Sequence, residues 1–369
     1  MKKLKLKNTD FTIPVMGQGM MGIGGYFERD SSKDSQSIDI LQKGFEKGLT
    51  FVDTAEIYGA GHSEEVLGIA IKDCRESIQI GTKFKPENNA PELMIDSCKR
   101  SLERLQTDYI DLYQTHWPSN TVPFESTLDG FNALLDKGLI KYIGLSNATV
   151  NQVKLASEKL PKGRFVSLQQ AFNIADRFAE ENLLPGCQKE GRVMIAYSPL
   201  LEGKMVPDDE RRASMETLAS ECSLTLPQLI LSWLVSHKNL AIIPKTATES
   251  HMLSNIEAVN FGMTEEIYER IDALYEVKVE NIAPELIEPA DADGRKVYKT
   301  PKEAIANENE MSPSPVELSK DFLAGELFRP IKVSRTAEGK PYALKEGRLR
   351  YWAWVIAFNG ENEVPCIVV

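Results

Sequence analysis

Short apolar runs alternate with longer segments of helical periodicity over the first 280 residues of the chain. The runs are continuous rather than strictly alternating between apolar and polar residues, which is typical of parallel strands covered by helices. Between them, apolar residues recur one helical turn apart, as at Ile38, Leu41 and Phe45. The predicted strands are Val15–Gly19, Thr50–Asp53, Ile78–Thr82, Ile110–Gln114, Tyr142–Leu145, Val166–Gln169, Val193–Tyr197 and Ala241–Pro244.

Eight strands, each followed by a helix, predict the α/β class and a (β/α)8 TIM barrel. The opening segment LKLKNTDFTIPV has the pattern of a small hairpin that precedes the first barrel strand. We therefore predict an N-terminal hairpin and a barrel domain over residues 1–280. In such barrels the active site lies where the strands meet the loops that follow them.

The pattern changes after residue 280. Residues 281–315 are rich in Pro, Asp, Glu, Asn and Ser, a composition that predicts a linker. Regular patterning returns after this segment and predicts two strands, a helix and a final strand, so we predict a small α+β domain over residues 316–369. Its elements are PIKV (330–333), YALK (342–345), RLRYWAWVIAF (348–358) and VPCIVV (364–369).

The composition argues against several classes of function. A formal net charge of −11 disfavours binding to nucleic acid or to a membrane surface, and no apolar run approaches the ~20 residues that span a bilayer. The opening MKKLKLKNTD lacks the apolar stretch of a signal peptide. Five scattered cysteines and four histidines without paired spacing predict neither a disulfide framework nor a metal centre, so we expect a cytoplasmic protein.

The segment Gly17–Gly22 matches the G-x-G-x-x-G pattern of dinucleotide-binding proteins. In a Rossmann fold a helix begins within this loop, and an acidic residue about 20 positions on ends the second strand. Here more glycines follow, the helix begins only near Ser35, and Asp39 lies inside it. The pattern therefore favours a glycine loop at the barrel mouth, where small residues let a ligand approach the backbone.

Four polar residues follow successive predicted strands: Asp53 and Tyr58 in FVDTAEIYG, Lys83 in IGTKF, and His116 in LYQTHWP. A free phenol has a pKa near ~10, and a neighbouring ammonium would lower that pKa. A carboxylate would keep the ammonium charged, and an imidazole could orient a substrate carbonyl or relay a proton. Such a group suits an acid that protonates an oxygen while hydride reaches the carbon.

Each residue, taken alone, has a simpler interpretation. Asp53 could cap a turn and Tyr58 could pack against its neighbours, while Lys83 could be solvated and His116 could belong to the core. Their position at successive strand ends of one barrel mouth favours the catalytic hypothesis. Trp117, which follows the histidine, would then form an apolar wall for the substrate.

Several segments resemble, in collinear order, the signature segments of the aldo-keto reductases, and the resemblance covers about residues 1–280. They are FVDTAEIYGAGHSEEVLG, IGTKF, YIDLYQTHWP, YIGLSNAT, AYSPL and IIPKTAT. The resemblance implies a (β/α)8 barrel that binds NADPH without a Rossmann domain and reduces aldehydes or ketones to alcohols. It also implies that Asp53, Tyr58, Lys83 and His116 form a catalytic tetrad with Tyr58 as the proton donor.

The same resemblance implies a set of cofactor contacts. Ser146, Asn147 and Gln170 would hold the nicotinamide carboxamide, and Tyr197 would stack beneath the ring. Without the resemblance, the Ser-Asn pair has the alternative of capping the helix that begins near Val150. The other implied contacts are Gly19, Met20 and Met21 at the nicotinamide, Ser198 and Leu200 at the pyrophosphate, and Lys245, Thr246, His251 and Asn255 around the 2′-phosphate.

The sequence departs from the family pattern at the phosphate clamp. His251 stands where the family usually has an arginine, and Ser254-Asn255 replaces the usual Glu-Asn pair. Lys245 can meet a phosphate as a point charge, but an imidazole lacks the bidentate geometry of a guanidinium. We expect NADPH as the cofactor, with NADH possible.

The tail resembles the ParB-like/sulfiredoxin fold over residues 314–369, chiefly in PIKV, YALKEGRLRYWAW and VPCIVV. That resemblance implies an anion site at Gly347–Arg350, where arginines and a helix N-terminus would meet a phosphate-containing ligand. Sulfiredoxin chemistry is not implied, because this turn has no cysteine. Alternatively, Arg348 and Arg350 are surface charges on a helix that docks on the barrel, where the tail could replace the family's C-terminal substrate loop.

Two functional hypotheses follow. The first is an NADPH-dependent reductase of small-molecule carbonyl compounds. The second is an NADP(H)-binding sensor or regulatory protein, with a nucleotide- or partner-binding tail and little turnover. The intact tetrad favours the first hypothesis, because a sensor could keep the cofactor contacts and lose the acid.

Overall fold

The computed structural model describes residues 1–7, 9–119, 121–206, 209–275, 278–289, 298–309, 311, 313–337 and 339–369. The chain divides into two compact units, Met1–Tyr275 and Glu276–Val369. Each unit has its own cluster of buried apolar side chains.

An eight-stranded parallel sheet forms the centre of the first unit, and its strands follow one another in chain order. The two edges of the sheet meet, because Met16 bridges Ile242 and the amide of Gly17 donates to the carbonyl of Ile242 at 2.9 Å. The predicted (β/α)8 barrel is therefore confirmed. After the hairpin strands β1 (Lys3–Lys5) and β2 (Thr12–Pro14), the barrel strands are β3 (Gln18–Gly19), β4 (Phe51–Asp53), β5 (Gln79–Phe84), β6 (Ile110–Thr115), β7 (Ile140–Ser146), β8 (Phe165–Ala171), β9 (Val193–Tyr197) and β10 (Leu240–Ile242).

The helices of this unit begin where the sequence supplies N-terminal signals. Pro91 occupies the first turn of one helix, and Thr149 and Thr225 each form a capping box with a glutamine three residues later. The helices are α1 (Asp34–Glu46), α2 (His62–Ala70), α3 (Pro91–Leu105), α4 (Phe124–Asp136), α5 (Val150–Lys159), α6 (Phe178–Asn182), α7 (Leu184–Glu190), α8 (Asp209–Glu221), α9 (Leu226–Ser236), α10 (Glu249–Ala258) and α11 (Glu265–Leu274).

The strand boundaries differ from the prediction by one to three residues, except for β9, which has the predicted bounds. The first barrel strand is shorter than predicted because Val15–Gly17 bond to the last strand rather than to β4. The last strand ends at Ile242, ahead of Pro244, which has no amide hydrogen for a ladder.

The predicted hairpin is present and closes one end of the barrel interior. Phe11 and Ile13 from the hairpin cluster with inward-facing residues of the barrel strands, including Phe51, Leu112 and Ile195. Apolar side chains therefore fill this end, and polar groups collect where the strands end at the other.

The second unit contains a five-stranded mixed sheet in the order β11-β15-β13-β14-β12. The predicted order of two strands, a helix and a strand is present as β13, β14, α14 and β15. The elements of the unit are β11 (Val279–Ile282), β12 (Ile287–Glu288), α12 (Pro301–Ala306), α13 (Pro315–Leu323), β13 (Ile331–Arg335), β14 (Tyr342–Glu346), α14 (Arg348–Ala357) and β15 (Val364–Val368).

The predicted linker 281–315 contributes structure to this unit, which begins at residue 276 and not at residue 316. Strand β11 pairs with β15, and strand β12 pairs with β14, so both are held by residues far along the chain. Residues 290–297, 310 and 312 of the predicted linker lie outside the described residues.

Arg350, which the sequence suggested for an anion site, is bonded within its own unit. Its Nη1 atom donates to the carbonyl oxygens of Arg329 at 2.5 Å and Pro330 at 3.0 Å. Its guanidinium also lies 3.7 Å from Glu346. These contacts anchor the first turn of α14 to the chain that precedes β13.

Within the described residues, no single helix is long and apolar enough to cross a membrane. Together, the bent pair Glu210–Glu221 and Leu226–Ser236 reaches the required length and composition.

Candidate active site

The four residues of the predicted tetrad meet at the carboxyl ends of neighbouring strands. Asp53 ends β4, Lys83 is the penultimate residue of β5, and His116 follows β6 directly. Tyr58 begins a short turn, Tyr58–Gly61, in the loop after β4. All four side chains are buried, because none belongs to a residue more than 7% exposed.

Lys83 lies at the centre of this group. Its ammonium donates to Asp53 Oδ1 at 2.6 Å and to the carbonyl oxygen of Thr54 at 2.8 Å. The same nitrogen lies 5.2 Å from the centre of the Tyr58 ring. The buried positive charge is therefore paired with a carboxylate on one side and faces the phenol on the other.

The turn that carries Tyr58 depends on glycine. Gly59, Ala60 and Gly61 all have positive φ angles, of 57°, 52° and 95°. A Cβ on Gly59 would also clash with the carbonyl oxygen of Gly24. Glycine at this position therefore lets the loop fold tightly enough to direct the phenol toward Lys83.

Burial raises the pKa of Tyr58 above its ordinary value, against the lowering effect of the Lys83 charge. We expected from the sequence that the ammonium would lower the pKa of the phenol. Lys83 does have that effect, but burial outweighs it and the net shift is upward. For Lys83, burial alone would lower the pKa, but the charges of Asp53 and Tyr58 raise it above the ordinary value. At neutral pH the phenol is thus protonated and the lysine charged.

His116 is neutral at physiological pH. Burial, together with the nearby charge of Lys83, lowers the pKa of His116 to about 2. Its ring lies edge-on to Tyr58, with 5.6 Å between ring centres, and stacks on Trp117 at 4.1 Å. Its Nδ1 atom is buried without a hydrogen-bond partner among the described residues. A neutral, fixed imidazole suits orientation of a carbonyl better than relay of a proton.

Two amide side chains that the sequence argument missed support Asp53. Gln169 donates to Asp53 Oδ2 at 2.7 Å, and Gln114 approaches the same oxygen at 3.5 Å. Gln170, predicted for the carboxamide, points to the other face of β8, because successive strand residues alternate. The sequence did contain a signal for Gln169: it lies two positions after another polar residue, Ser167, on the same face of β8.

Glu56, within the same motif as Asp53 and Tyr58, was also missed. Its Oε1 atom accepts from the backbone amide of Lys85 and from Asn88 Nδ2, both at 2.7 Å, and its Oε2 atom accepts from the hydroxyl of Ser97 at 2.6 Å. Its own amide donates to the carbonyl of Lys83 at 3.0 Å. Glu56 therefore fastens the loop that carries Tyr58 to the end of β5 and to α3.

Ser146 is the last residue of β7, and Asn147 follows it beside the tetrad. The side-chain nitrogen Nδ2 of Asn147 donates to the backbone carbonyl of His116 at 2.9 Å, and its Oδ1 atom accepts from the Tyr197 hydroxyl at 2.8 Å. The alternative in which Ser146 and Asn147 cap the next helix is wrong, because Thr149 is the N-cap of α5. These side chains form a polar wall along the ends of β7 and β9.

Comparison with protein families matches residues 15–276 to the "Aldo/keto reductase family". The chain belongs to this family. It is accordingly an NAD(P)H-dependent oxidoreductase, and the family match ends at residue 276, where the second unit begins.

Individual relatives agree with this assignment. Methylglyoxal reductase YeaE of Escherichia coli is 32% identical over 72% of this chain and 92% of its own length. The NADH-specific methylglyoxal reductase of the same organism is 30% identical over 72% of this chain and 95% of its own.

Solved structures show the same fold. The thermostable aldo-keto reductase Tm1743, in complex with the inhibitor epalrestat, is 36% identical, with a TM-score of 0.71 over 74% of this chain and 100% of its own. An aldo/keto reductase of Klebsiella pneumoniae, in complex with NADP and acetate, is 30% identical, with a TM-score of 0.68 over 74% of this chain and 95% of its own.

The glycine segment of this aldo/keto reductase lies against the tetrad. The amide of Met20 donates to the carbonyl of Asp53 at 2.9 Å, and the amide of Gly19 donates to Pro244 at 3.2 Å. A Cβ on Gly19 would clash with the carbonyl oxygen of Ile243. Met20 is fully buried, whereas Met21 is 42% exposed at the mouth.

A cavity of about 660 Å³ lies beside the tetrad rather than on it. Its wall combines the glycine loop after β3 with the first turns of α1 and the loop after β10, including Lys245 and Thr246. Among the described residues, Tyr58 and His116 lie outside this wall. The cavity therefore adjoins the predicted phosphate-binding segment.

The remaining predicted contacts occupy loops and one helix. Ser198 and Leu200 follow β9, and Ser198 has a φ of 48°. His251 is exposed in the first turn of α10, where its amide donates to the Thr248 side chain. Asn255, one turn later, is buried, and Trp117 is 44% exposed beside His116.

The donor set fits a nicotinamide cofactor. Ser146, Asn147 and Gln169 place one hydroxyl and two amides at the ends of β7 and β8, and amides can both donate to and accept from a carboxamide. Lys245 offers an exposed cation for a phosphate. The structure does not place Gln170 with this set.

Proposed function

We propose that this aldo/keto reductase reduces aldehydes or ketones to alcohols with NADPH, and that Tyr58 delivers the proton. The observation that carries the proposal is the contact of one buried ammonium with two partners. Lys83 pairs with Asp53 at 2.6 Å and faces the ring of Tyr58 at 5.2 Å. A phenol beside a fixed positive charge can give up its proton during a reaction, because the resulting phenolate is stabilised at once.

The cofactor, when bound, supplies a hydride to the carbonyl carbon. Tyr58 transfers its hydroxyl proton to the carbonyl oxygen and becomes a phenolate. Lys83 stabilises that phenolate, and Asp53 holds Lys83 in place through its Oδ1 atom. Because burial raises the pKa of Tyr58, the phenol keeps its proton until the substrate oxygen becomes basic.

His116 orients the substrate in this proposal. Because its pKa is lowered to about 2, the imidazole is neutral and can give a hydrogen bond to the carbonyl oxygen without changing the charge of the site. Because the two rings are in edge-on contact, a carbonyl oxygen bound to His116 would lie near the phenol.

The proposed cofactor contacts are those predicted from the sequence, with Gln169 in place of Gln170. Gln169, Ser146 and Asn147 would hold the carboxamide, and Tyr197 would lie beneath the ring. Tyr197 already bonds to Asn147 at 2.8 Å, which supports a shared role. The other proposed contacts are Gly19, Met20, Met21, Ser198, Leu200, Lys245, Thr246, His251 and Asn255.

For the substrate, we propose small aldehydes that include 2-oxoaldehydes and aromatic aldehydes. Two E. coli relatives are methylglyoxal reductases, which supports the first class. The indole of Trp117, stacked on His116 and partly exposed, offers a flat apolar surface that supports the second.

The test is NADPH oxidation by the wild-type protein with methylglyoxal and with an aromatic aldehyde, beside a direct measurement of NADPH binding. Turnover with either substrate supports the reductase. Tight NADPH binding without turnover of either substrate would instead favour the sensor hypothesis. The ParB-like resemblance of residues 314–369 and the cytoplasmic location remain predictions of the sequence.

A further inference from the structure

The second oxygen of Asp53 faces two amide donors inside the barrel. Oδ1 is taken by Lys83, and Oδ2 accepts from Gln169 at 2.7 Å, with the amide nitrogen of Gln114 at 3.5 Å. All of these groups are buried, Gln114 and Lys83 completely. Gln169 thus holds the near position on Oδ2, and Gln114 stands at the outer limit of hydrogen bonding.

The orientation of Gln114 is set by its neighbours. Its amide oxygen accepts from the hydroxyl of Ser167 at 3.4 Å, so its nitrogen faces Asp53. Gly144, on the strand between them, leaves the space for this pair, because a Cβ there would clash with the Ser167 hydroxyl and with the Gln114 amide. Three strands therefore cooperate to aim one buried donor at the carboxylate.

We propose that Gln114 is a positioning residue for the reaction, and that it shares Asp53 Oδ2 with Gln169. The inference rests on the proposed function, in which Gln169 also engages the cofactor carboxamide. When Gln169 forms hydrogen bonds with the cofactor carboxamide, Gln114 still donates a hydrogen bond to Asp53 Oδ2. Asp53 then stays aligned on Lys83, and Lys83 stays aligned on Tyr58.

The physical reason is the cost of leaving a buried carboxylate oxygen without a donor. Hydrogen bonds to charged groups are stronger than those between neutral groups, and an unsatisfied buried acceptor is costly. An Asp53 with no donor on Oδ2 would rotate toward other donors and loosen the 2.6 Å contact with Lys83. A shared oxygen avoids this, because either amide alone can satisfy it.

The test compares Gln114→Leu, Gln169→Leu and the double variant with Gln18→Leu as a matched control. Gln18 is also a buried amide, but it donates to the backbone carbonyls of Leu41 and Leu49. We expect Gln114→Leu to lower kcat about tenfold at saturating NADPH, with little change in the aldehyde KM. The fall in activity at high pH should begin at a lower pH, because Lys83 loses alignment with the carboxylate that raises its pKa. Gln18→Leu should lower thermal stability and leave the pH profile unchanged.

A second measurement does not depend on activity. Thermal unfolding of the cofactor-free proteins should show that the double variant loses more stability than the sum of the two single losses. The reason is that either amide can still donate to Asp53 Oδ2 when the other is removed. Additive losses, or a pH profile of Gln114→Leu that matches the wild type, would overturn the inference. A wild-type protein that turns over no carbonyl compound would instead contradict the proposed function, and the unfolding comparison would then still decide whether Gln114 shares Asp53 Oδ2 with Gln169.

Discussion

Lys83 donates a 2.6 Å hydrogen bond to Asp53 at a depth where the lysine side chain is 0% exposed and the aspartate side chain 3% exposed. A buried ammonium is stable only when it is paired and hydrogen-bonded. Its other partners are the carbonyl oxygen of Thr54 and the Tyr58 phenol. The ion pair therefore fixes the position of the Lys83 ammonium and keeps it positively charged beside Tyr58.

Removal of the carboxylate should destabilise the fold. Asp53→Asn leaves the Lys83 ammonium buried without a counter-charge, so we expect the free energy of unfolding to fall by about 3–5 kcal/mol. Denaturant unfolding measures this change. Asp136→Asn, at the exposed end of α4, is the control and should be close to neutral. A loss for Asp53→Asn no larger than that of the control would show that the ion pair contributes no stability.

The buried histidine should make the protein sensitive to mild acid. His116 has its pKa lowered to about 2 in the folded state, whereas an unfolded histidine titrates near ~6.5. Below that pH the unfolded chain binds the proton and the folded chain does not, so stability falls by up to about 1.4 kcal/mol per pH unit.

Unfolding of the wild type and His116→Gln at pH 7 and pH 5 measures this dependence. The wild type should lose more stability than the variant on acidification. His251→Gln, which changes an exposed histidine, should behave like the wild type. Equal pH dependence in the wild type and His116→Gln would contradict the neutral, buried state of the imidazole.

A second, half-buried network should affect stability at lower pH. Burial would raise the pKa of Glu180, but hydrogen bonds from His237 and Arg177 lower it to about 2. The stabilisation from this carboxylate is present above its unfolded pKa near ~4.3 and is lost as the pH falls toward 2. Glu180→Gln should therefore cost about 3 kcal/mol at neutral pH and progressively less between pH 4.5 and pH 2.

Acid unfolding of the wild type, Glu180→Gln and the exposed neighbour variant Glu181→Gln measures this difference. Only Glu180→Gln should show a difference from the wild type that narrows as the pH falls. A difference that stays constant with pH would mean that the charge of Glu180 does not contribute.

The phosphate clamp should limit the preference for NADPH. His251 is exposed in the first turn of α10 and lacks the forked donors of a guanidinium. His251→Arg should tighten NADPH binding about tenfold and leave NADH binding nearly unchanged, because only NADPH carries the 2′-phosphate. Fluorescence titration with both cofactors checks this, with His251→Gln as the uncharged control. Equal tightening toward both cofactors would place this side chain away from the 2′-phosphate.

The barrel and the tetrad were predictable because both depend on local patterns. Apolar runs with helices between them predicted the strands, and the carboxyl ends of neighbouring parallel strands meet at one mouth. Asp53, Lys83 and His116 therefore had to lie near one another once the strand order was known. Tyr58 followed because its loop is short and rich in glycine.

The inward-facing amides were not predictable in the same way. Gln169 and Gln170 are adjacent, so their side chains point to opposite faces of β8. Which of them faces Asp53 depends on the register of the strand. Gln114 lies within an apolar strand, and its partner Ser167 is 53 positions away. The strands β11 and β12 within and beside the predicted linker were missed for a related reason. Both are short, and both form by pairing with the distant strands β15 and β14.

The most direct test of the account is the turnover of Tyr58→Phe at saturating NADPH. The variant keeps the ring that packs against His116 and removes the proton. We expect kcat to fall by about 10²–10⁴-fold, the range for loss of a general acid, while the Kd for NADPH stays close to that of the wild type. A Tyr58→Phe variant that binds NADPH and reduces the aldehyde at the wild-type rate would contradict the assignment of Tyr58 as the proton donor.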